Sequence, residues 1–289
     1  MTEDLLGRVS GRIDDAFLII GAVILLIELV EGWFKGSLRR RAFADMLASF
    51  STQVPFILVE VFVLTGAYAL YVMVSELWIS WTMPITAGTV VLAVLVADFL
   101  YYWEHRLAHE IRFLWLQHAV HHSSRYMNII TGIRFGPLEG LWTMVALFPM
   151  VLAGFPPELV IFGNLAVLAY QTWLHTEVIG KLGPLEWMLN TPSHHRVHHG
   201  SDAKYLDRNY AGVLIVWDRL FGTFQVEEER PRYGLSRDFD SVNPLAVWFS
   251  ELPQFVRDLC AARSGYEAWM RLFGPPSWRP PSTRSGEPS

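Results

Sequence analysis

With one cysteine, Cys260, in 289 residues, the chain can form no internal disulfide, no CxxC redox pair and no all-cysteine iron–sulfur cluster. Basic residues number 23 against 28 acidic ones, so the cationic excess that a nucleic-acid-binding face needs is missing. No GxGxxG follows a strand-like run, and no flavin or nicotinamide fingerprint is present. The zincin pattern HExxH is also absent, because Arg106 follows His105 and His109-Glu110 has no second histidine at the required spacing. Any bound metal must therefore rest on nitrogen and oxygen ligands, and any electrons must arrive from another molecule.

What the chain has in quantity is apolar surface and histidine. Hydrophobic residues make up 52% and charged ones only 18%, too apolar for an ordinary soluble domain and too interrupted by charge to lie wholly in a membrane. Apolar runs extend from about Ala16 to Phe34, Val54 to Val74 and Pro84 to Trp103, each long enough for ~30 Å of hydrocarbon at 1.5 Å per residue. Two shorter runs, Leu141 to Gly154 and Leu159 to Trp173, are joined by Phe155-Pro156-Pro157-Glu158 and read as a hairpin that enters the bilayer at least in part. Glu3, Asp4, Asp14 and Asp15 precede the first run where a cleaved leader would carry positive charge, so that run is read as retained. The expected fold is all-α, an integral membrane protein of about four to five embedded helices with a histidine-rich helical cap.

Lys35, Arg39, Arg40 and Arg41 follow the first run, whereas the connection from Ser75 to Met83 carries no basic residue. The positive-inside rule then places the first loop in the cytoplasm, and threading onward brings every histidine to that same face.

All ten histidines fall between positions 105 and 199, nine of them in three clusters: His105/His109, His118/His121/His122 and His194/His195/His198/His199. Neutral imidazole is a ligand for transition metals, and four nitrogens complete one tetrahedral zinc, so this number implies more than one ion. On a helix, residues i, i+3 and i+4 share a face, so HxxxH and each HxxHH can present two or three imidazoles together. Asp98 stands seven residues before His105, where it can ligate a metal, accept a hydrogen bond from a ligand imidazole, or pair with an arginine. Thr191 and Pro192 form a helix start ahead of the third cluster, with Thr191 as N-cap. His194 falls outside the i, i+3, i+4 trio and ranks below its neighbours, while His175 stands alone at the end of the fifth apolar run.

The order HxxxH, HxxHH, HxxHH after paired apolar runs resembles the fatty acid hydroxylase and sterol desaturase superfamily of membrane enzymes. Asp98-Phe99, Tyr102-Trp103-x-His105-Arg106-x-x-His109-Glu110, His118-x-Val-His-His-Ser-Ser124, Gln171-x-Trp-x-His-Thr-Glu177 and Asn190-Thr-Pro-Ser-His-His-Arg-Val-His-His199 look most like its alkylglycerol monooxygenase branch and bacterial relatives. Asp207-x-Asn209-Tyr-Ala-Gly212 and Trp217-Asp-Arg-x-Phe-Gly-Thr-Phe224 extend the likeness to roughly residues 84–226. The resemblance implies a non-haem di-iron centre that activates O2, two irons held by His105, His109, His118, His121, His122, His195, His198 and His199, with His175 as a further ligand. It implies a lipid substrate drawn from the bilayer, hydroxylated or, alternatively, desaturated. Electrons would come from a separate electron-transfer protein or a small reductant such as a reduced pterin. Glu110 and Glu177 are candidates for supporting or proton-relay roles, the alternative being plain surface carboxylates. Some relatives read Arg-x-His-Pro-Leu-Glu where this chain has Arg134-Phe-Gly136-Pro-Leu-Glu139, so one histidine is missing.

Histidines alone would also suit a protein that binds or moves Zn2+ without redox chemistry. A transporter, however, carries its ligands near mid-span, and here they follow the spans. The expected organisation is membrane spans over 1–83, a catalytic region over 84–226, one or two amphipathic helices over about 244–274, and a disordered tail over 275–289.

Overall fold

The computed structural model describes residues 3–280 and is helical, with two isolated β-bridges, Leu189 with Leu214 and Gly200 with Tyr233, and no named strand among the described residues. Helix α1 (Glu3–Phe34) carries the first apolar run. After a turn at Gly36, a short α2 (Arg40–Ser51) leads into α3 (Gln53–Trp78), and α4 (Ala87–Glu110) follows. Two stretches, Arg40–Trp78 and Ala87–Glu110, are long and apolar enough to cross a membrane. The expected hairpin is α6 (Glu139–Leu152) and α7 (Pro157–Gln171), with Pro157 in the first helical turn where its missing N–H costs nothing.

The helices pack α4 on α7 and α3 on α6, around Tyr71, Leu147, Met150, Val151, Leu159 and Val160. Close approach of α4 and α7 depends on small residues: a side chain at Gly163 would stand 2.8 Å from the Ala93 carbonyl oxygen, beside Ala97. Outward, Leu18, Leu26, Leu58, Phe62, Val91 and Leu95 remain exposed on α1, α3 and α4, an apolar belt that water would not tolerate on a stable surface. At one end of the bundle, Met83 N–H donates to the Gly154 carbonyl, joining the loop before α4 to the hairpin turn. At the other, Lys35 and Leu38 line one cavity with Arg125, Glu177 and Arg196. The first basic loop and the histidine-bearing segments thus share an end.

That end is built by α5 (Arg112–His122), a 3-10 turn Ile129–Ile133, α8 (Pro192–His198) and α9 (Val216–Phe221). Where one or two amphipathic helices were expected after residue 244, there are three short ones, α10 (Pro244–Trp248), α11 (Leu252–Cys260) and α12 (Gly265–Phe273). They cap the histidine end: the Arg112 guanidinium bonds Asp258 and lies over the Phe255 ring, and Arg112 N–H donates to Gly274 O. Of the tail expected to be disordered, Pro275, Pro276, Ser277 and Arg279 line a cavity, and residues 281–289 lie outside the described residues.

Candidate metal centre

Nine imidazoles converge at the histidine end and sort into two groups. His105, His109, His118, His122 and His198 form one, and His121, His175, His195 and His199 the other, each with its ligand atoms within 4.8 Å of one another. Helical periodicity explains the sorting. On α5, the i, i+4 pair His118 and His122 faces the first group while His121 turns to the second. At α8 the pair His195 and His199 belongs to the second group and His198 to the first. The groups adjoin, with the His122 and His199 rings stacked at 4.4 Å.

Their nitrogen spacings are those of a metal site. His105 Nε2 lies 2.9 Å from His118 Nε2, which lies 3.1 Å from His122 Nε2. In the second group His175 Nε2 is 2.8, 3.1 and 3.2 Å from those of His195, His121 and His199, and His195 and His199 are 3.2 Å apart. Hydrogen bonds cannot account for such a knot, since a neutral Nε2 either donates or accepts, and of the three mutually contacting Nε2 atoms of His175, His195 and His199 two must be alike. Nitrogens about 2.0–2.1 Å from one ion stand about 3 Å apart at neighbouring octahedral corners. His109 Nε2 and His198 Nε2 are buried with no protein partner, as ligand atoms should be. The donor set therefore fits two nitrogen-bound transition-metal ions.

Five of the nine rings are fixed through the other nitrogen. His105 Nδ1 donates to Tyr210 O at 2.8 Å, His198 Nδ1 to Arg208 O at 3.1 Å and His121 Nδ1 to Arg134 O at 3.2 Å. A carbonyl only accepts, so each Nδ1 carries the proton and each Nε2 is left bare for metal. His118 Nδ1 meets Glu139 Oε1 at 2.6 Å, and His109 Nδ1 lies 3.4 Å from Asp207.

Asp98 does not enter the centre. Its carboxylate accepts from Val213 N–H (2.7 Å), Leu214 N–H (3.0 Å) and Trp217 Nε1 (2.8 Å), neither ligating, nor bonding an imidazole, nor pairing with arginine. Asp218 receives Tyr210 N–H and Ala211 N–H, so the two aspartates together pin the loop whose carbonyl groups hold His105 and His198. Gly212 lets that loop reach Asp98, because a side chain there would stand 2.9 Å from Tyr101 and 3.0 Å from Asp98 Oδ1. Glu110 pairs with Arg106 at 2.8 Å on the rim of a cavity, and Glu177 bonds Arg230 and Tyr233 beside the separate cavity lined by Lys35. His194 belongs to neither group and packs against Phe224. The Thr191 hydroxyl, expected to cap α8, donates to Glu186 instead.

Glu139 was not foreseen as a partner, although it closes the stretch in which a histidine is missing. Gly136 itself packs against α5: a side chain there would stand 2.6 Å from Gln117 O and 2.9 Å from its Cα, so histidine has no room without moving the segment. Gly132 is as tight, with 2.8 Å between its would-be Cβ and His175 Nδ1. Gly132→Ala is therefore expected to displace the His175 ring and weaken the second group by about 10–100-fold in metal affinity, the usual cost of disturbing ligand support; competition with a chromophoric chelator measures it.

A cavity of about 970 Å³ opens onto His109, His122, His198 and His199, walled by Trp115 and Tyr210 and ringed by arginines including Arg208. Burial holds His118 and His121 down at about 3, with the neighbouring His118 adding to the effect on His121. His122, His175, His195, His198 and His199 are likewise held well below 6.5, first by burial and then by one another. The imidazoles are thus neutral and ready for metal at pH 7. Below about pH 6.5 an unfolded chain protonates these residues while the folded one resists, so the unfolded state binds more protons and stability falls with falling pH. Chelator-treated protein is expected to melt at progressively lower temperature from pH 7.5 to pH 5.5, each such histidine contributing up to about 1.4 kcal/mol per pH unit. A flat melting profile across that range would contradict the burial.

Comparison with known proteins agrees with this geometry. The sequence model of the fatty acid hydroxylase family matches residues 90–223. Alkylglycerol monooxygenase of Homo sapiens is 37% identical over 267 residues, 91% of this chain and 59% of that protein, and the Xenopus tropicalis enzyme 36% over 92% and 59%. The ornithine lipid hydroxylase OlsE of Rhizobium tropici is 34% identical over 139 residues, covering 48% of this chain and 42% of its own. The chain spans about six-tenths of the length of the alkylglycerol monooxygenases it matches. No solved structure matches.

Proposed function

We propose that the chain is a membrane-embedded di-iron oxygenase that hydroxylates a lipid, a reading supported by the match of residues 90–223 to the fatty acid hydroxylase family. The observation that carries this reading is the pair of adjoining imidazole groups, five and four strong, at the end of an apolar bundle. Four to five helices, α1, α3, α4 and the hairpin α6–α7, lie in the bilayer with the histidine end in the cytoplasm, as the basic residues of the first loop favour.

The nine imidazoles would hold two irons, which when bound would supply the oxidising power to break an unactivated C–H bond with O2. The overall reaction inserts one oxygen atom into the lipid and releases the other as water, consuming two electrons and two protons from a separate donor. The chain's own residues arrange this. Carbonyl oxygens of Arg134, Arg208 and Tyr210 hold the rings of His121, His198 and His105 in one tautomer, and Glu139 holds His118. The apolar belt faces the bilayer from which a lipid would be drawn, and the imidazoles are buried at its end. The cavity over His109 and His198 is open to a water-borne reductant, either an electron-transfer protein at its rim or a small molecule such as a reduced pterin within it.

Desaturation is the second reading, since a putative sterol C5(6)-desaturase of Arabidopsis thaliana is 27% identical over 145 residues. The test is metal analysis and Mössbauer spectroscopy of detergent-purified protein, followed by O2 uptake with ether lipids, acyl lipids and sterols under several reductants. Coupled iron and a hydroxylated product are expected, and a product with a new double bond would favour the second reading. Tightly held zinc with no O2 consumption would sink both.

A further inference from the structure

The four-histidine group leans on a segment that none of the histidine motifs includes. Arg134 O accepts the His121 Nδ1 proton, the Phe135 ring lies parallel to the His121 ring at 6.0 Å, and Gly132 packs against His175 Nδ1. The segment is in turn gripped by α2 and its junction with α3. Arg134 Nη1 donates to Asp45 Oδ1 at 2.9 Å and to Ser49 Oγ at 3.2 Å, Phe135 N–H donates to Thr52 Oγ1, and Gln53 Nε2 donates to Ile133 O. The second Asp45 oxygen accepts from Ser124 Oγ at 2.5 Å, two residues beyond His122, so one carboxylate ties α2 both to the end of α5 and to the 3-10 turn.

This pair is buried throughout, with Arg134 0% exposed and Asp45 4%. Arg134 Nε and Nη2 have no protein partner, and Asp45 makes its ion pair. Such a pair adds little net stability, because desolvation offsets the attraction; what it can supply is a single defined arrangement. The α2 helix is arranged for the purpose. Phe43, Leu47 and Phe50 point outward, while Asp45 and Ser49 point in, the reverse of a water-soluble surface helix.

We propose that Asp45 and Arg134 are positioning residues for the four-histidine metal position, acting on His121 through the Arg134 carbonyl and on His175 through Gly132. This rests on the two-metal reading above. The five-histidine group has its own supports in the 208–214 loop, so loss of the pair should empty one position and spare the other.

The test uses the full chain in detergent, loaded with iron and desalted, with metal per chain and Mössbauer coupling as readouts. Asp45→Asn leaves the arginine charge uncompensated, so it is paired with the double variant Asp45→Asn/Arg134→Gln, which removes both charges and with them the burial penalty. Both are expected to hold about one iron per chain, uncoupled, with affinity at the second position about 10–100-fold weaker and helical circular dichroism unchanged. About two coupled irons in either folded variant overturns the proposal. So does a double variant that fails to fold, which would make the pair a folding element. A wild-type count below about two overturns the underlying two-metal reading instead, which separates the two failures.

Discussion

Alanine at position 198 is expected to abolish turnover while the protein still inserts, folds and elutes as wild type. His198 sits at the middle of the five-histidine group, its ring 4.3, 4.7 and 4.9 Å from those of His105, His122 and His109. Its Nε2 has no protein partner and its Nδ1 proton is committed to Arg208 O, so the Nε2 is left available to a metal. Disturbing a ligand's hydrogen-bond partner commonly costs about 10–100-fold, and removing the ligand should cost more, so activity should fall by at least about 100-fold with loss of roughly one iron. His121→Ala is the matching variant for the other position. His194→Ala is the internal control: it lies one residue from a ligand yet belongs to neither group, so it should keep its metal and its activity. Full turnover in His198→Ala or His121→Ala would refute the assignment.

The contrast between His194 and His195 shows how far spacing alone reaches. The i, i+3, i+4 pattern of HxxHH ranks His194 below its neighbours, and in the folded protein it belongs to neither group. The same pattern could not divide nine imidazoles between two positions, because that depends on how α4, α5, α7 and α8 meet in three dimensions. Nor could it show the carbonyl oxygens of Arg134, Arg208 and Tyr210 as partners of the ligand rings, since every residue has a carbonyl and composition leaves no trace of where it points. Glu139 was visible in a singled-out stretch, but its contact with His118 spans 21 residues and needed the fold. The long apolar runs were legible for the opposite reason. A belt of exposed leucine, valine and phenylalanine is a property of composition over about twenty residues, which tertiary contacts do not disguise. The amphipathic α2, polar inward and apolar outward, escaped notice because it is short and begins in a basic loop that reads as a connection.

Asp98 is where reasoning from spacing and the folded protein part company, and the difference can be measured. An ionisable residue near a membrane span, seven positions before a ligand, invites a role at the metal. The fold gives its carboxylate three other donors, Val213 N–H, Leu214 N–H and Trp217 Nε1. Asp98→Ala leaves all three without an acceptor in a buried place, at about 1–3 kcal/mol each, a sum comparable with the ~5–15 kcal/mol net stability of a typical domain. That variant is therefore expected to misfold or aggregate. Asp98→Asn is the informative change, since it keeps the shape, retains one oxygen and turns an amide N–H toward a backbone donor. It should fold with a clearly lowered melting temperature. It should also occupy the five-histidine position less completely, because the loop that Asp98 pins carries Tyr210, whose carbonyl holds His105. A ligand role predicts the opposite pattern, with an altered metal spectrum at full occupancy and an unchanged melting temperature. Iron content and thermal unfolding of the one variant distinguish them. Restoring the wild-type spectrum by raising the iron concentration would show that Asp98 acts through the loop and not on the metal.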